Sequence, residues 1–364
     1  MTPPLRILQL NLERGWRGGE RQTLLSLRLM RERGHDAALL ARRGGELAAR
    51  ARAAGIPVFE ASGLAGMVWV LLRQGRRYDA LHAQTAQAMS ALALLRFWLG
   101  PRLVFTRRTA FPLAHGAGRT AWKWRQADIM VAISEAAAAA PRQLGLAPRI
   151  IPSAVEPTAA DPARLQAFLQ THRLSGRRIV ATVAALSPEK DPLTLLRMAH
   201  TLRQQRSDFV LLHLGADGAA GDAARQLVHT LGLEDFVIFA GFQTQVEALY
   251  PLMDVFVLSS QQEALGSSVL DAFLAEVPVA ATQAGGLPEL LADGRGLLSP
   301  VGDAPALAAQ VSRLLDDNHL RHTVTARALA YVQREHEPSV MVSRYLELYA
   351  GLAQSGRDTR VAPD

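Results

Sequence analysis

The 364-residue chain contains no cysteine. Disulfides, thiolate zinc sites, iron–sulfur clusters and a cysteine nucleophile are therefore excluded. Lysine is nearly absent too: of 40 basic residues, only Lys123 and Lys190 are lysine. Long apolar runs are missing. The longest uncharged stretches, 61–72 and 80–95, fall short of the ~20 apolar residues a membrane span needs, and the second contains His82, Gln84 and Gln87. The first apolar run is about six residues long and reads as a strand rather than a signal peptide. The compartment expected from this is the cytoplasm.

What remains is an ordinary globular composition, 49% apolar and 20% charged, with enough length for about two domains. The charge is divided unevenly. Residues 1–175 hold 25 Lys and Arg against 11 Asp and Glu, a net of +14; residues 176–364 hold 15 against 22, a net of −7. A basic half suits an anionic partner, whether nucleic acid, an acidic membrane surface or a phosphorylated substrate. A solvated arginine-rich surface is the plainer alternative.

Short apolar runs alternate with helical patterns along the whole chain. Leu5–Leu10, Ala37–Ala41, Pro57–Phe59, Asp79–His82, Leu103–Thr106 and Asp128–Ile133 read as strands of the first half. Ile179–Ala185, Phe209–Leu214, Phe236–Ala240, Val255–Leu258 and Val277–Ala280 read as strands of the second. Helical spacing lies between them: Glu20–Arg33 carries Leu24, Leu25, Leu27, Leu29 and Met30, and helices are expected near 243–252 and 286–292. The strands are too continuously apolar for sheets half in water, so parallel sheets covered on both faces are expected. A joint is expected in 152–176, where Pro152, Pro157 and Pro162 precede Ser175-Gly176. This gives domains 1–163 and 164–338, with a closing helix and tail over 339–364. Open parallel sheets bind ligands at the carboxyl ends of their strands, and two of them facing each other would bind in the cleft between.

Four loops at such strand ends carry chemistry. Arg17-Gly18-Gly19-Glu20 lets a ligand approach the backbone at a helix start, which favours anions; a tight turn explains it equally. Lys190, in Ser187-Pro188-Glu189-Lys190-Asp191-Pro192, sits where phosphates bind, although a lone lysine is usually solvated. In Ser259–Asp271 two carboxylates, Glu263 and Asp271, flank a helix start near Gly266. Amides there can hold a diphosphate, and the acids can accept hydrogen bonds from sugar and ribose hydroxyls. Gly285-Gly286 again permits close approach.

Taken in order, these segments resemble a family 4 retaining glycosyltransferase of the GT-B fold. Arg33-Gly34-His35-Asp36, Asp79-Ala80-Leu81-His82, Ile151–Glu156, Leu212–Gly218, Phe239–Phe242, Tyr250–Ser259 and Tyr345-Leu346-Glu347-Leu348-Tyr349 extend the resemblance over nearly the whole chain. It implies two Rossmann-like, doubly wound domains facing a cleft, with the last helix crossing back to the first. It implies retaining transfer from a nucleotide diphosphate sugar to a cell-envelope acceptor: lipopolysaccharide, a lipid-linked glycan or a polysaccharide. Lys190 would stabilise the departing diphosphate and Glu263 would hold the donor sugar. Asp271, where glutamate is usual, would hold the ribose. Leu265, Gly266 and Ser267 would face the phosphates, with Gly18, Gly19 and Gly215 also on the donor side. No protein nucleophile and no cofactor are implied. Metal independence is expected, because no Asp-x-Asp, the donor-holding motif of metal-dependent GT-A enzymes, occurs.

The chain departs from the family pattern in places. Ala185 stands where arginine is typical, removing a positive charge, with Arg17 the nearest substitute. Phe105-Thr106-Arg107-Arg108-Thr109 lacks a frequent histidine, leaving His82, Arg107 and Arg108 as acceptor-side candidates. His82 lines the cleft or is a structural histidine. Gln84 stands where a second histidine is common.

Residues 107–125 mix Arg107, Arg108, His115, Arg119, Lys123 and Arg125 with Phe111, Trp122 and Trp124. That mixture suits docking on the anionic inner membrane leaflet, unless the tryptophans are buried. The same residues could stack on and neutralise nucleic acid, but no signature of an RNA-recognition or helix-turn-helix fold accompanies them, and no nucleic-acid partner is expected. A GT-B epimerase, which needs no acceptor, and an inactive sugar-nucleotide-binding homologue, motivated by Ala185, are the alternatives within this fold.

Overall fold

The computed structural model describes residues 3–112 and 117–358. The chain forms two compact units, Met1–Ala154 with Glu337–Asp364, and Val155–His336. Beside the domain limits expected at 163/164 and 338/339, the segment 155–163 goes with the second unit. The Val155 amide donates to the His336 carbonyl at 3.0 Å, fixing both ends of that unit together.

The first unit is built on strands β1 (Arg6–Asn11), β2 (Asp36–Arg42), β3 (Val58–Ala61), β4 (Ala80–Ala83), β5 (Arg102–Arg107), β6 (Ile129–Ala132) and β7 (Arg149–Ile150). They form one parallel sheet in the order β3-β2-β1-β4-β5-β6-β7. Ile7 pairs with Ala37 of β2 on one side and Ala80 of β4 on the other. Successive side chains of a strand point to opposite faces. Ile7 accordingly enters one core with Leu27, Met30 and Val131, while Leu8 and Leu10 enter the other with Leu81, Met89 and Phe105. Both faces are dry, which explains the unbroken apolar strands.

The last helix, Pro338–Asp358, belongs to this first unit. Met341, Tyr345, Leu348, Tyr349 and Leu352 recur at helical spacing and are all buried in the same core as Ile7. Each such side chain contributes roughly 1.5–3 kcal/mol by leaving water.

The second unit repeats the plan with β8 (Arg178–Val183), β9 (Phe209–Leu214), β10 (Val237–Phe239), β11 (Val255–Leu258), β12 (Val279–Thr282) and β13 (Leu297–Ser299). The order is β10-β9-β8-β11-β12-β13, all parallel. In each sheet the winding reverses at one point, between β1 and β4 in the first and between β8 and β11 in the second. Ligands of open parallel sheets bind at the carboxyl end of such a point. The loops after β1 and β4, and those after β8 and β11, therefore stand where such a fold holds its ligands.

Several elements differ from the sequence expectation. The expected joint contains a helix, Pro162–Thr171, started by Asp161, whose carboxylate accepts the Ala163 amide, and by Pro162 in its first turn. None of its residues is buried, so no apolar stripe marks it. Residues 243–252 form a tight 3-10 turn, Val246–Leu252, rather than an α-helix, with Pro251 inside it. The strands β7 and β13, two and three residues long, are too short to show a period. Helix Ala117–Arg125 also lies outside the expected elements.

Candidate functional site

In the second unit, two loops at the switch point are stitched together. The Gln261 and Gln262 amides donate to the Glu189 carbonyl, at 2.9 and 3.2 Å. The Ser259 hydroxyl donates to the carbonyls of Lys190 and Asp191, at 3.0 and 2.9 Å. Asp191 has a left-handed backbone, φ 47°, and caps helix Pro192–Arg203 by accepting the Thr194 amide. Its other carboxylate oxygen accepts from Gln261 Nε2 at 3.0 Å. Stitched in this way, the loops bring Lys190 Nζ and Glu263 Oε2 into an ion pair, both side chains largely but not fully buried. The two residues stand 73 positions apart in sequence and are in contact in the structure.

The glycines of these loops also make room for the chain's own backbone. A Cβ on Gly285 would stand 1.8 Å from the Glu263 carbonyl oxygen, and one on Gly286 would stand 2.5 Å from that of Ala264. The Gly286 amide donates to the Glu263 carbonyl at 2.9 Å. The close approach these glycines permit is that of the chain's own backbone, and it holds Glu263 in place. Gly215 acts likewise: its Cβ would meet the Ala184 carbonyl oxygen at 1.8 Å. It supports the loop leading to Lys190 through that packing.

Gly266 caps helix Ser267–Leu274 with φ 92°, and Leu265 before it is buried. The first turn of any helix leaves amides without partners inside the helix, and here that turn follows β11. Ser267 and Asp271, four residues apart, share one half-buried side of the helix. Ala185 ends its strand region without a cation, as the sequence states.

In the first unit the motif Arg17-Gly18-Gly19-Glu20 starts helix Gly18–Glu32 at the carboxyl end of β1. Glu20 is buried and turns back, accepting the Arg17 amide at 3.0 Å and Asn11 Nδ2 at 3.3 Å. Burial raises its carboxyl above the usual range. Arg108, just past β5, packs on Gly19, whose Cβ would lie 3.5 Å from its Cδ.

Arg108 is held by neutral groups. Its Nε and Nη2 donate to Gln84 Oε1 at 3.1 and 2.8 Å, and its Nη1 donates to Ser153 Oγ at 3.2 Å. Among the described residues no carboxylate pairs with it, and burial lowers its guanidinium pKa. Gln84 Nε2 donates in turn to Gln9 Oε1 at 3.0 Å and approaches His82 Nδ1 at 3.3 Å.

Two acceptor-side expectations change here. His82 is fully buried, with Nδ1 2.6 Å from the Tyr349 hydroxyl and Nε2 2.7 Å from Thr106 Oγ1. Burial, reinforced by Arg108, drives its pKa down to about 3, so it is a neutral structural histidine. Of the two readings open in the sequence, the structural one holds. Arg107 is also interior: it donates to the carbonyls of Ala137 and Phe111 at 2.9 and 2.6 Å and lies over the Trp124 ring. Trp124 is buried with it, so these two residues cannot face a membrane. Trp122 and Phe111 are half exposed; His115 lies outside the described residues.

Sequence reasoning missed Gln9, which has no motif of its own, Ser153, which lies in the quoted segment Ile151–Glu156 but was given no role, and Asp191, whose Asp-Pro step at a helix start was the available signal. Among the described residues no cluster of three or more His, Asp or Glu could hold a metal ion, and no helix is long and apolar enough to cross a membrane.

Two doubly wound parallel sheets in one chain, each with a loop site at its switch point, make this a protein of the GT-B class of glycosyltransferase folds. Among solved structures, Anabaena HepE in complex with UDP-glucose superposes with a TM-score of 0.85 at 22% identity, covering 95% of this chain and 100% of that one. Residues 16–159 match the family described as Glycosyltransferase Family 4, and residues 167–330 match Glycosyl transferases group 1. The chain belongs to this family of glycosyltransferases. One curated relative is the N-acetyl-alpha-D-glucosaminyl L-malate synthase of Bacillus anthracis, 33% identical over 155 residues, 42% of this chain and 40% of that protein. Another is the lipopolysaccharide core biosynthesis glycosyltransferase LpsE of Rhizobium meliloti (strain 1021), 29% identical over 187 residues, 48% and 55% of the two chains. The chain spans about half the length of the curated relatives it matches.

Proposed function

We propose that the protein transfers a sugar, with retention at the anomeric carbon, from a nucleotide diphosphate sugar to an anionic cell-envelope glycan, lipid-linked or part of lipopolysaccharide. The observation that carries this reading is the Lys190–Glu263 pair, fixed beside the helix start at Gly266. A diphosphate entering there competes with Glu263 for the Lys190 ammonium, which then stabilises the charge that develops on the leaving phosphate. Released from Lys190, the Glu263 carboxylate can accept hydrogen bonds from donor-sugar hydroxyls. Amides of Leu265, Gly266 and Ser267 meet the phosphates, and Asp271 takes the ribose hydroxyls. Family membership, a fold neighbour solved with UDP-glucose and a relative in lipopolysaccharide core synthesis support the donor and acceptor classes.

On the acceptor side we assign Arg108. It is a largely desolvated cation that packs on Gly19 in the first turn of helix Gly18–Glu32; no carboxylate among the described residues bonds to it, and Glu20 acts on it only through space. Such a group favours an incoming phosphate or carboxylate. Transfer needs no metal in this scheme.

The test is a transfer assay with nucleotide diphosphate sugars and lipid-linked or lipopolysaccharide acceptors, run with chelator. Product that retains the donor's anomeric configuration, undiminished by chelator and lost in Lys190→Ala, supports the proposal. Donor binding without turnover on any acceptor points instead to the inactive homologue that Ala185 suggests. Donor conversion without acceptor points to an epimerase.

A further inference from the structure

The polar network behind Arg108 converges on Gln84, a buried residue just past β4. A side-chain amide has two acceptor positions and two donors, and here all four are engaged. Gln84 Oε1 accepts from Arg108 Nε and Nη2. Its Nε2 donates to Gln9 Oε1 and faces His82 Nδ1. Only one orientation of the amide does this: turned over, its NH2 group would face two guanidinium donors. The surroundings keep that orientation. Gln9, on β1, is bonded to Ser26 Oγ at 3.0 Å. His82 is neutral, its Nε2 is turned to Thr106 Oγ1, and its Nδ1 lies 2.6 Å from the Tyr349 hydroxyl. Nδ1 is therefore an acceptor toward both Tyr349 and Gln84.

The consequence falls on Arg108. A guanidinium has five N–H bonds. Two are taken by Gln84 and one, from Nη1, by Ser153 Oγ. One N–H on each terminal nitrogen remains without a partner among the described residues. Every bonded partner is neutral, so the positive charge is left standing. Glu20, which acts on it through space, has its two oxygens on Asn11 Nδ2 and the Arg17 amide. A glutamate in place of Gln84 could hold the same two guanidinium nitrogens and would cancel the charge.

We infer that Gln84 is a positioning residue that decides acceptor specificity: it aims the Arg108 guanidinium while leaving its charge uncancelled, so that the preferred acceptor carries a phosphate group. This rests on the assignment of Arg108 to the acceptor side and adds to it the residue that sets the charge requirement. A sugar hydroxyl can accept one of the two remaining N–H bonds but leaves the charge unmet. A phosphate accepts both, and as a monoester it brings more negative charge than a carboxylate.

The experiment is a titration of inorganic phosphate followed by 31P NMR. The full chain carries Lys190→Ala throughout, so that the donor loop's ammonium is not read. Gln84→Glu, Gln84→Met and Arg108→Gln are compared in that background, with melting curves recorded alongside. We expect phosphate to bind the parent and to bind at least about tenfold more weakly in Gln84→Glu and in Arg108→Gln, but only several-fold more weakly in Gln84→Met. A merely structural Gln84 predicts the reverse order, because methionine loses all four hydrogen bonds of the amide and glutamate keeps the two to Arg108. Phosphate binding in Gln84→Glu within about twofold of the parent, or weaker binding in Gln84→Met than in Gln84→Glu, would overturn the inference. Undiminished binding in Gln84→Met would overturn it as well, whatever the glutamate variant does. Loss in Arg108→Gln with retention in Gln84→Glu sinks the role of Gln84 alone. Retention in Arg108→Gln, or no binding by the parent, removes the acceptor-side assignment of Arg108 with it.

Discussion

The two switch points handle charge in opposite ways. In the second unit the cation, Lys190, is met by a carboxylate, Glu263, on loops held by backbone contacts that admit only glycine. In the first unit the cation, Arg108, is met by an amide and a hydroxyl, and no acid among the described residues pairs with it. A paired cation must exchange partners when an anion arrives, so its site is quiet until filled. An unpaired, desolvated cation carries a standing cost that an anion relieves. The same sheet topology thus supports a site that trades one anion for another and a site that waits for one.

The largest effect that would break this contrast lies in the glycines. Gly285→Ala places a Cβ inside the Glu263 backbone at a left-handed φ of 52°. We expect about 3 kcal/mol or more of lost stability in urea melts, with donor binding lost as well. Next comes Lys190→Ala. Removing one charge-stabilising donor should lower kcat about 100-fold or more, and leaving the largely buried Glu263 carboxylate without its partner should cost about 1–3 kcal/mol in urea melts.

A third prediction concerns pH. Burial holds His82 neutral down to about 3 and His213 down to about 4. An unfolded histidine takes up its proton near 6.5. Between those values the unfolded chain binds more protons, so stability rises with pH and falls as the solution is acidified below 6.5. The slope should approach about 1.4 kcal/mol per pH unit for each histidine. Urea melts from pH 5 to 7 (about the range in which an unfolded histidine titrates) should show a shallower dependence in His82→Gln. The smallest effect on stability belongs to Arg108→Gln, which keeps a donor toward Gln84 but removes the charge. Melting should shift by no more than about 1 kcal/mol, while KM for an anionic acceptor rises about tenfold and KM for the donor stays.

The second unit was the more legible in sequence, and the contrast explains why. Lys190, Glu263, Gly266 and Asp271 lie in two continuous segments next to strand ends, and their order along the chain carries the resemblance. Phe209–Leu214 and Val255–Leu258 match their strands to the residue because both are fully buried and apolar throughout, His213 alone excepted. The first unit's polar network is spread over Gln9, His82, Gln84, Thr106, Arg108, Ser153, Tyr345 and Tyr349. No window of sequence contains it, and only the sheet order and the returning helix bring it together. Arg107 misled because a basic residue at a strand end looks solvent-facing; its carbonyl partners are set by packing. Trp69, Leu72, Leu94, Phe97 and Trp98 are half exposed or more, and they were hidden for the converse reason. An apolar helix reads as core, and its surplus of apolar surface shows only when its neighbours are known.

The most direct test of this account is calorimetric titration of nucleoside diphosphates into the wild type, Lys190→Ala and Arg108→Gln. The account predicts that one nucleoside diphosphate binds the wild type, that Lys190→Ala weakens it at least about tenfold, and that Arg108→Gln binds it nearly as the wild type does. Undiminished binding in Lys190→Ala, or loss in Arg108→Gln instead, would contradict the division of charge between the two units.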